Sequence, residues 1–462
     1  MSDYETFSPF QPLDFIILPC YNISSISKGD EFFLQDTSAP RERRFQYRYV
    51  IIALCFLMVM TSLGFASSPQ TLFPDEIAKE LGVERSLVSF FESFRYIATS
   101  IVNLFFGLLI AKFGPKKLVV AGFTSLTLSI VLFSIANNLP TLYLAGILLG
   151  VGFSWTTTTM VGYIVPIWTE PKNRGTIMGA ILASNGLGAA IAIPIVGSLI
   201  DPDVTGSYRN AYRLIAVVLF AVLVILLIFF RDKPNGLDAL PAHAKKGAKG
   251  RNKDWEGIPF SQAIRSFPFW GILVSIFLSG MILQGIHGIA VMHMKDVGLD
   301  YGAIKVIASF GSLLLAVSKF STGFLYDRIG LRFTATVCMC SAVIAAIALS
   351  LVNANSYALA IIFTVISRFA YPLETIMLPL YASDLFGKQD FAKILGIFVS
   401  VNTAGYAVGA PILNACYDAI GSYAPALFVF SGLMVGNLIL IQFVISKSRK
   451  ARLAENKAAI ES

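Results

Sequence analysis

One lysine lies inside an apolar stretch of the chain, in the segment AVSKFSTGFLYDRIG that begins at Ala316. Lys319 has no acidic residue within four positions, so no neighbour on the same helix turn neutralises it. A charge inside an apolar span is costly and points to function. A cation that lines a desolvated cavity would bind an anion that is otherwise costly to dehydrate. The alternative is that this side chain extends toward the helix end or toward Asp327.

A second group of charges begins with Glu92 and Arg95, which lie three residues apart and share one face of a helix. This spacing favours a structural ion pair inside an apolar span. In the functional alternative, Glu92 carries protons and its proton affinity responds to the substrate, which Arg95 contacts.

A third group is Arg368, Tyr371 and Glu374. Arg368 and Glu374 are six residues apart, so they do not face one another on one helix. Arg368 is a candidate for a second contact with an anion, and Tyr371 is a further substrate-binding candidate. Glu374 either pairs with a neighbouring helix or carries protons.

The polar side chains of two further stretches have both a functional and a structural interpretation. His287 can titrate near neutral pH and carry a proton, or it can be a hydrogen-bonded packing residue. The run WTTTTM, from Trp155 to Met160, places hydroxyls on every face of a helix. These hydroxyls line a cavity, with Trp155 as a substrate contact, or they bond to carbonyls one turn back.

The elements that must position these residues are membrane helices. The chain has 462 residues, of which 55% are hydrophobic and only 14% charged, a composition typical of an integral membrane protein. About 20 consecutive apolar residues cross a bilayer as a helix. This rule predicts twelve spans, near 49–70, 87–111, 118–137, 140–165, 175–200, 212–230, 267–293, 304–326, 333–352, 357–384, 394–417 and 424–445.

The distribution of the basic residues predicts the topology. If the first span begins in the cytoplasm, most of the 36 Lys and Arg residues fall in the tails and cytoplasmic loops. Six fall outside the cell, namely Lys79, Arg85, Arg209, Arg213, Lys295 and Lys305. This is the positive-inside pattern, with both termini cytoplasmic. The net charge of +8 is therefore a topology signal and does not indicate nucleic acid.

A polar linker divides the spans into two groups of six. We expect a cytoplasmic tail at 1–47, a first bundle at 48–230, the linker at 231–266, a second bundle at 267–446 and a cytoplasmic tail at 447–462.

The two halves of the sequence also resemble each other. GLLIAKFG from Gly107 recurs as GFLYDRIG from Gly323, and five residues recur at an offset of 217, as Gly179, Asn185, Gly188, Pro194 and Asp201 and then Gly396, Asn402, Gly405, Pro411 and Asp418. Repeated halves predict a pseudo-symmetric transporter.

Six plus six helices, a central loop and the pattern G-x-x-x-D-R-x-G between spans eight and nine resemble the major facilitator superfamily. The resemblance implies an all-α membrane protein with twelve transmembrane helices in two pseudo-symmetric six-helix bundles. The second-half gating loop is intact, with Gly323, Asp327, Arg328, Gly330 and Arg332. The first-half copy keeps Gly107 and Gly114 but has Ala111 in place of the aspartate and Pro115 at the first basic position.

Two longer stretches, 150–191 and 385–423, resemble the oxalate–formate antiporter and monocarboxylate transporter group. In that group, the position four residues before Gly323 holds an arginine that binds the substrate carboxylate, and Lys319 occupies it here. Members that take a dicarboxylate have a second cation in the eleventh helix, and residues 394–417 contain no Lys or Arg. Either Arg368 or Arg95 supplies that cation, or the substrate carries one carboxylate.

The sequence therefore predicts a secondary transporter in the plasma membrane that moves a small organic anion, a mono- or dicarboxylate, with protons or a counter-anion. The alternative is an efflux carrier for hydrophobic or cationic compounds, which is expected to have an acidic cavity, unlike the three cations and two acids predicted inside these spans. Five cysteines without a CxxC pair and three histidines predict no metal or cofactor. With no nucleotide loop or nucleophile motif, we expect a monomer that is not an enzyme and whose partners are the substrate and the bilayer.

Overall fold

The computed structural model describes residues 47–201, 204, 206–233 and 257–461. The predicted N-terminal tail up to residue 46 and the linker residues 234–256 lie outside the described part. Within that part the regular structure is helical, apart from one isolated β-bridge between Gly257 and Gly387. The helices are α1 (Tyr47–Val59), α2 (Pro74–Leu81), α3 (Arg85–Leu104), α4 (Phe106–Ile135), α5 (Leu139–Thr156), α6 (Thr158–Trp168), α7 (Arg174–Gly197), α8 (Tyr208–Phe229), α9 (Phe260–Ala263), α10 (Phe267–Asp296), α11 (Tyr301–Ile329), α12 (Leu331–Ser350), α13 (Tyr357–Arg368), α14 (Met377–Phe386), α15 (Phe391–Ile420) and α16 (Ala424–Glu461).

Each of the twelve predicted spans corresponds to a helix or to consecutive helical segments. Ten stretches of the described chain are long and apolar enough to cross a membrane. The long helices α3 and α11 are not among these ten, and they carry three of the charges singled out above, Glu92, Arg95 and Lys319. Each of them packs on helices of both halves, α3 on α5 and α15, and α11 on α7 and α13.

Several boundaries differ from the predicted ones. The second and third spans meet inside α4, where Gly114 has a left-handed φ of 78° that turns the chain. The short helices α2 and α9 were not predicted, and α16 continues as a helix to Glu461 through the predicted C-terminal tail. We call the end of the helical assembly that holds the turns at Gly114, Gly330 and Gly387 the basic end.

Two helices are broken near their middle. Thr157, with φ −123° and ψ −142°, separates α5 from α6. In the second half, a single 3₁₀ turn at Tyr371–Glu374 and the non-helical Thr375 separate α13 from α14. Breaks of this kind expose backbone and side-chain polar groups at membrane depth, where they are tolerated beside a cavity or protein.

Glycine contacts repeat between the two halves of the chain. A Cβ on Gly64 of the first span would lie 2.5 Å from the Cα of Gly188, and Gly405 packs on Gly280 and Met281 at the equivalent place, 216 to 217 residues later. Small residues let membrane helices approach closely. The van der Waals contacts that result stabilise the packing, since lipid provides no hydrophobic effect between helices. The repeat in the sequence is thus also a repeat of packing contacts.

The halves meet chiefly along two helix pairs, α7 with α11 and α3 with α15. A Cβ on Gly179 would lie 2.7 Å from the carbonyl oxygen of Lys319, and one on Gly396 would lie 2.4 Å from that of Asn103. Because these contacts are related by the internal repeat, Asn103 is the first-half counterpart of Lys319.

Candidate functional site

Lys319 lies at the contact between the two halves and is only 3% exposed. Its Nζ donates to Asn185 Oδ1 at 3.1 Å and to the Leu182 carbonyl at 3.4 Å, both on α7. The side chain therefore neither extends to water nor reaches Asp327, whose carboxylate binds the start of α7 instead. These two bonds to neutral oxygens solvate the ammonium group without neutralising its charge.

The acidic residue that acts on the charge of this lysine is Glu374. It ends the 3₁₀ turn between α13 and α14, is 8% exposed and acts electrostatically on Lys319. Tyr406 of α15 lies near the carboxyl group, whose Oε1 is buried and has no hydrogen-bond partner among the described residues. No ion pair joins Glu374 to Lys319 among the described residues, so their interaction is electrostatic and without direct contact.

Arg95 and Glu92 form the ion pair that their spacing favoured. The Arg95 guanidinium also lies over the rings of Tyr96 and Phe153, with its Cζ 4.4 Å and 5.5 Å from their centroids. Arg95 NH1 donates a further bond to Ser67 Oγ at 3.4 Å. Its charge is therefore already balanced by Glu92 and by two aromatic faces.

Two tyrosines connect this ion pair to Glu374. The rings of Tyr96 and Tyr406 are 5.7 Å apart and nearly perpendicular, and Gln284 Nε2 donates to Tyr96 Oη at 3.1 Å. Helices α3, α10 and α15 thus converge beside Glu374. Neither Tyr96 nor Tyr406 was predicted as a functional residue, although Tyr406 directly follows Gly405 of the repeat.

Arg368, Tyr371 and His287 form an adjoining group. The Arg368 Cζ is 5.3 Å from the centre of the Tyr371 ring, and the His287 ring packs on the same ring at 5.5 Å and 84°. Arg368 Nε is buried without a hydrogen-bond partner among the described residues, and Gly311 leaves room for it. Tyr371 and Glu374 lie on one 3₁₀ turn, so this group adjoins the one around Lys319.

The threonine run is largely structural. Thr156 and Thr157 hydroxyls donate to the carbonyls of Gly152 and Phe153 at 2.9 and 2.7 Å, one turn back. Thr159 donates to Asn103 Oδ1 at 2.9 Å. Trp155 is half-buried, and its Nε1 is buried without a hydrogen-bond partner in the described part of the chain, so this donor is left for a ligand.

The predicted gating loop of the second half is held by its aspartate. Asp327 accepts from the backbone of Gly175 and Thr176 at 2.9 and 2.6 Å and from the Thr176 hydroxyl at 2.6 Å. A carboxylate at the start of α7 satisfies free amides and complements the helix dipole. Arg328 lies over the Phe324 ring, and Arg332 Nε donates to Gln442 at 2.7 Å.

The first-half copy is held differently. Gly107 is packed against Lys393 of α15, as Gly323 is packed against Gly175. Asp232 accepts from the Lys116 amide at 2.6 Å and so caps the helix that follows the turn at Gly114. Ala111 is exposed where the second half has Asp327.

These groups differ in how their charges are balanced. Lys319 and Arg368 are cations without an ion-pair partner among the described residues, whereas Arg95 is neutralised by Glu92. Aromatic rings and the Glu374 carboxyl group lie around these two cations. Among the described residues, no group of three or more His, Cys, Asp or Glu side chains is placed to hold a metal ion.

Comparison with known proteins identifies relatives of the chain. The Major Facilitator Superfamily model matches residues 52–410 and 285–461. An uncharacterized MFS-type transporter, YcxA of Bacillus subtilis, is 24% identical over 62% of this chain and 66% of its own length. Monocarboxylate transporter 12-B of Danio rerio is 23% identical over 74% of this chain and 75% of its own.

Solved structures have the same fold. FucP, a transporter of that superfamily in the outward conformation, matches 86% of this chain and 99% of its own, with a TM-score of 0.65 and 16% identity. The human organic anion transporter MFSD10 matches 86% of this chain with a TM-score of 0.65 and 12% identity. At these identities the likeness concerns the fold alone.

Proposed function

The chain belongs to the Major Facilitator Superfamily, and from that premise we propose that it is a secondary active transporter for a small organic anion. It is a multi-pass membrane transporter and not an enzyme. The proposed substrate is a mono- or dicarboxylate, moved by alternating access between the two halves. The observation that carries this proposal is the buried ammonium group of Lys319, solvated by neutral oxygens at the contact between α7 and α11.

The chemistry of that lysine supports an anion as the substrate. A buried cation needs a negative counter-charge, and a carboxylate in contact with Lys319 provides it while losing its own water. Arg368, with its unpartnered Nε, is the proposed second contact and supplies a two-pronged donor that lysine lacks. Trp155 and Tyr371 are proposed to contact the remainder of the substrate.

The position of Glu374 supports coupling to protons. Lys319 can neutralise either the Glu374 carboxylate or a bound substrate carboxylate, but not both. An arriving anion therefore favours the protonated form of Glu374, because like charges repel strongly in a site with little water. One proton would then enter with one carboxylate. If Glu374 keeps its proton throughout, the same site exchanges one anion for another.

The other acid and the histidine have different proposed roles. Glu92 serves Arg95 as a structural counter-charge rather than a proton carrier, since its carboxylate is already in an ion pair. His287 packs on Tyr371 close to Arg368, a cation that opposes a second positive charge. We therefore assign proton coupling to Glu374.

The relatives and the charge distribution support the remaining parts of the proposal. Three of the similar proteins are named monocarboxylate transporters, from Danio rerio, Bos taurus and Rattus norvegicus. The excess of Lys and Arg at the basic end favours a plasma-membrane orientation with that end and both termini in the cytoplasm. The proposed active form is a monomer, because the candidate site is built within one chain.

Uptake by purified protein in liposomes tests the proposal. A panel of labelled mono- and dicarboxylates is offered to the wild type, to Lys319→Gln and to Lys319→Arg, with Lys79→Gln at the opposite end as the matched control. We expect uptake of at least one carboxylate by the wild type, loss in Lys319→Gln and partial activity in Lys319→Arg. Full uptake by Lys319→Gln would falsify the role of Lys319.

Ligand-dependent stabilisation is an independent measurement on the same variants. A carboxylate at 100 times its Kd stabilises the folded protein by about 2.7 kcal/mol. We expect this stabilisation in the wild type and not in Lys319→Gln. Stabilisation by cationic drugs, with none by any carboxylate, would instead support an efflux carrier.

A further inference from the structure

One hydrogen bond between the halves has no role in the proposed function. Gln284 Nε2 of α10 donates to Tyr96 Oη of α3 at 3.1 Å, and both side chains are half-buried. The Tyr96 ring also packs on the ring of Tyr406 of α15, with the two centroids 5.7 Å apart. Tyr96 of the first half is therefore held by two helices of the second half.

This bond lies farther from the basic end than the buried lysine. The rings of Phe269 and Phe386 touch, with centroids 5.8 Å apart, which places the start of α10 beside the turn at the basic end. Gln284 follows the first residue of α10 by 17 positions, and Lys319 precedes Gly330 by 11 positions. With a rise of 1.5 Å per residue, this difference of six residues corresponds to about 9 Å.

Beyond the bond, the same faces of the two helices are exposed. His287 and Gly288 lie one turn after Gln284 on one face of α10, and both are exposed. On α3, Ser93 lies one turn beyond Tyr96 on the same face and is also exposed. The contact between these two faces thus gives way to exposed surface one turn farther from the basic end.

Toward the basic end, several further contacts join the halves. There α15 packs on α4 and α6, and α14 packs on α6. The Asp327 carboxylate accepts from the amides of Gly175 and Thr176 in the same region. Lys319 therefore lies between these contacts on one side and the bond from Gln284 to Tyr96 on the other.

We propose that Tyr96 and Gln284 form a gate on the side of the proposed substrate site that faces away from the basic end, an inference that rests on the proposed transport function. The hydrogen bond closes the path between Lys319 and the opposite end of the helical assembly. It breaks when the halves separate there to admit or release the substrate. A bond between two neutral groups contributes little net stability, so it suits a contact that must break and form again in every cycle.

Thiol labelling of the purified full chain tests the gate without a substrate. Thr375 is half-buried and directly follows Glu374, so Thr375→Cys places a probe beside the proposed site. A water-soluble maleimide is added, and peptide mass spectrometry measures its reaction at that one cysteine. Adding Tyr96→Phe or Gln284→Leu removes the hydrogen bond at similar side-chain volume and should speed labelling several-fold. Equal rates with and without these substitutions would overturn the proposal.

Two controls separate a gate from a general loosening of the packing. Tyr143 Oη donates to the Leu87 carbonyl at 2.9 Å within the first half, so Tyr143→Phe makes the same chemical change away from the contact between the halves. It should leave labelling at position 375 unchanged. A cysteine introduced instead at Thr176, at the basic end, should not react faster when Tyr96→Phe is added. Faster labelling in either control would assign the bond a structural role and overturn the gate.

The double variant tests whether the two side chains act through one bond. Because Tyr96→Phe and Gln284→Leu remove the same interaction, their combination should label position 375 no faster than either single variant. Effects that add in the double variant would contradict a gate formed by this bond.

Transport kinetics provide a second measurement, with the natural residue at position 375. A gate that opens more easily binds substrate better from that side but closes over it less often, so Tyr96→Phe and Gln284→Leu should each lower both KM and kcat several-fold. A substrate contact behaves differently, because its loss raises KM. A raised KM with unchanged kcat in both variants would make these residues substrate contacts and overturn the gate.

A last variant separates the gate from the proposed substrate site. Lys319→Gln should lose carboxylate uptake and still respond to Tyr96→Phe with faster labelling at position 375. Loss of that response would contradict a gate that is separate from the lysine. If the wild type transports no carboxylate and the labelling response is present, the proposed substrate is wrong and the gate stands. If carboxylate uptake is present and labelling does not respond, the gate alone is wrong.

Discussion

Lys319 of α11 donates a hydrogen bond to Asn185 of α7 across the contact between the two halves, with 3.1 Å between Nζ and Oδ1. Asn185 recurs in the second half as Asn402, which instead donates to the backbone of Ile276 at 3.3 Å. The repeat therefore conserves the asparagine position while giving the two copies different partners. Only the first-half copy is joined to a charge.

This difference predicts the behaviour of two matched variants. Asn185→Ala removes a partner from a buried ammonium group and should destabilise the protein by about 1–3 kcal/mol. Asn185→Asp places a carboxylate beside Lys319 and should raise the KM for an anionic substrate several-fold, because the two anions compete for one cation. Asn402→Ala is the control, which should lower stability and leave that KM unchanged. The KM from uptake and the unfolding midpoint measure both effects, and an unchanged KM in Asn185→Asp would contradict the assignment.

Glu374→Gln tests the coupling of protons to the anion. Glutamine resembles the protonated acid, so the variant should bind anions without the pH dependence of the wild type. Accumulation driven by a pH gradient should be lost, while exchange of internal for external anion continues. Both are measured in liposomes with and without an imposed gradient.

Glu92→Gln is the matched control for that prediction. It breaks the ion pair with Arg95, whose side chain is 12% exposed while that of Glu92 is 33% exposed. The expected loss of stability lies between the ~1 kcal/mol of an exposed pair and the ~3–5 kcal/mol of a buried one. Proton-driven accumulation should persist in the folded fraction. If it is lost here and kept in Glu374→Gln, the two roles are reversed.

Gly323→Ala tests the close contact between α7 and α11 at the basic end. The added Cβ would lie 2.1 Å from the Gly175 carbonyl oxygen, and both sides of this contact are backbone, so the helices must separate. We expect the basic end to become more accessible, measured as faster labelling of a cysteine introduced at Thr176, together with slower transport. Gly432→Ala is the control, since nothing lies within 4 Å of its added Cβ. Equal labelling rates in the two variants would rule out this role for the contact.

Asp390 gives a prediction for the pH dependence of stability. The hydrogen bond from Lys393 and that from the Phe260 amide lower the pKa of Asp390, more than its partial burial raises it. A lowered folded-state pKa stabilises the protein above the unfolded pKa of about 3.9, and this contribution is lost as pH falls through the folded-state pKa. Wild type should therefore lose more stability than Asp390→Asn between pH 6 and pH 3, measured by thermal unfolding. An equal loss in both proteins would contradict this contribution.

Much of the fold was predictable because lipid permits few solutions. A span must satisfy its own backbone hydrogen bonds, so long apolar segments predict helices without knowledge of their neighbours. The breaks at Thr157 and Thr375 and the meeting of two spans inside α4 were not predicted. They depend on local backbone angles that hydropathy does not record.

The charged residues of the candidate site were predictable from the sequence, but the residues that they contact were not. Composition alone marks Lys319, Arg368 and Glu374 as costly and therefore informative. Whether Lys319 reaches the helix end, Asp327 or another helix is a question of direction and distance between helices. The spacing of Glu92 and Arg95 likewise allowed an ion pair, but it is the side-chain conformations in the structure that bring the two charges together.

The sequence by itself determined that this chain is a twelve-span membrane protein with repeated halves, since apolar length and residue identity at a fixed offset are properties of the chain. The tertiary structure decided which repeated positions remain equivalent. It placed Lys319 against Asn185 and left its counterpart Asn103 bonded to Thr159. It also left Ala111 exposed, whereas Asp327 at the equivalent position binds the start of α7. The physical reason is that contacts between distant segments depend on helix packing, which a one-dimensional pattern does not specify.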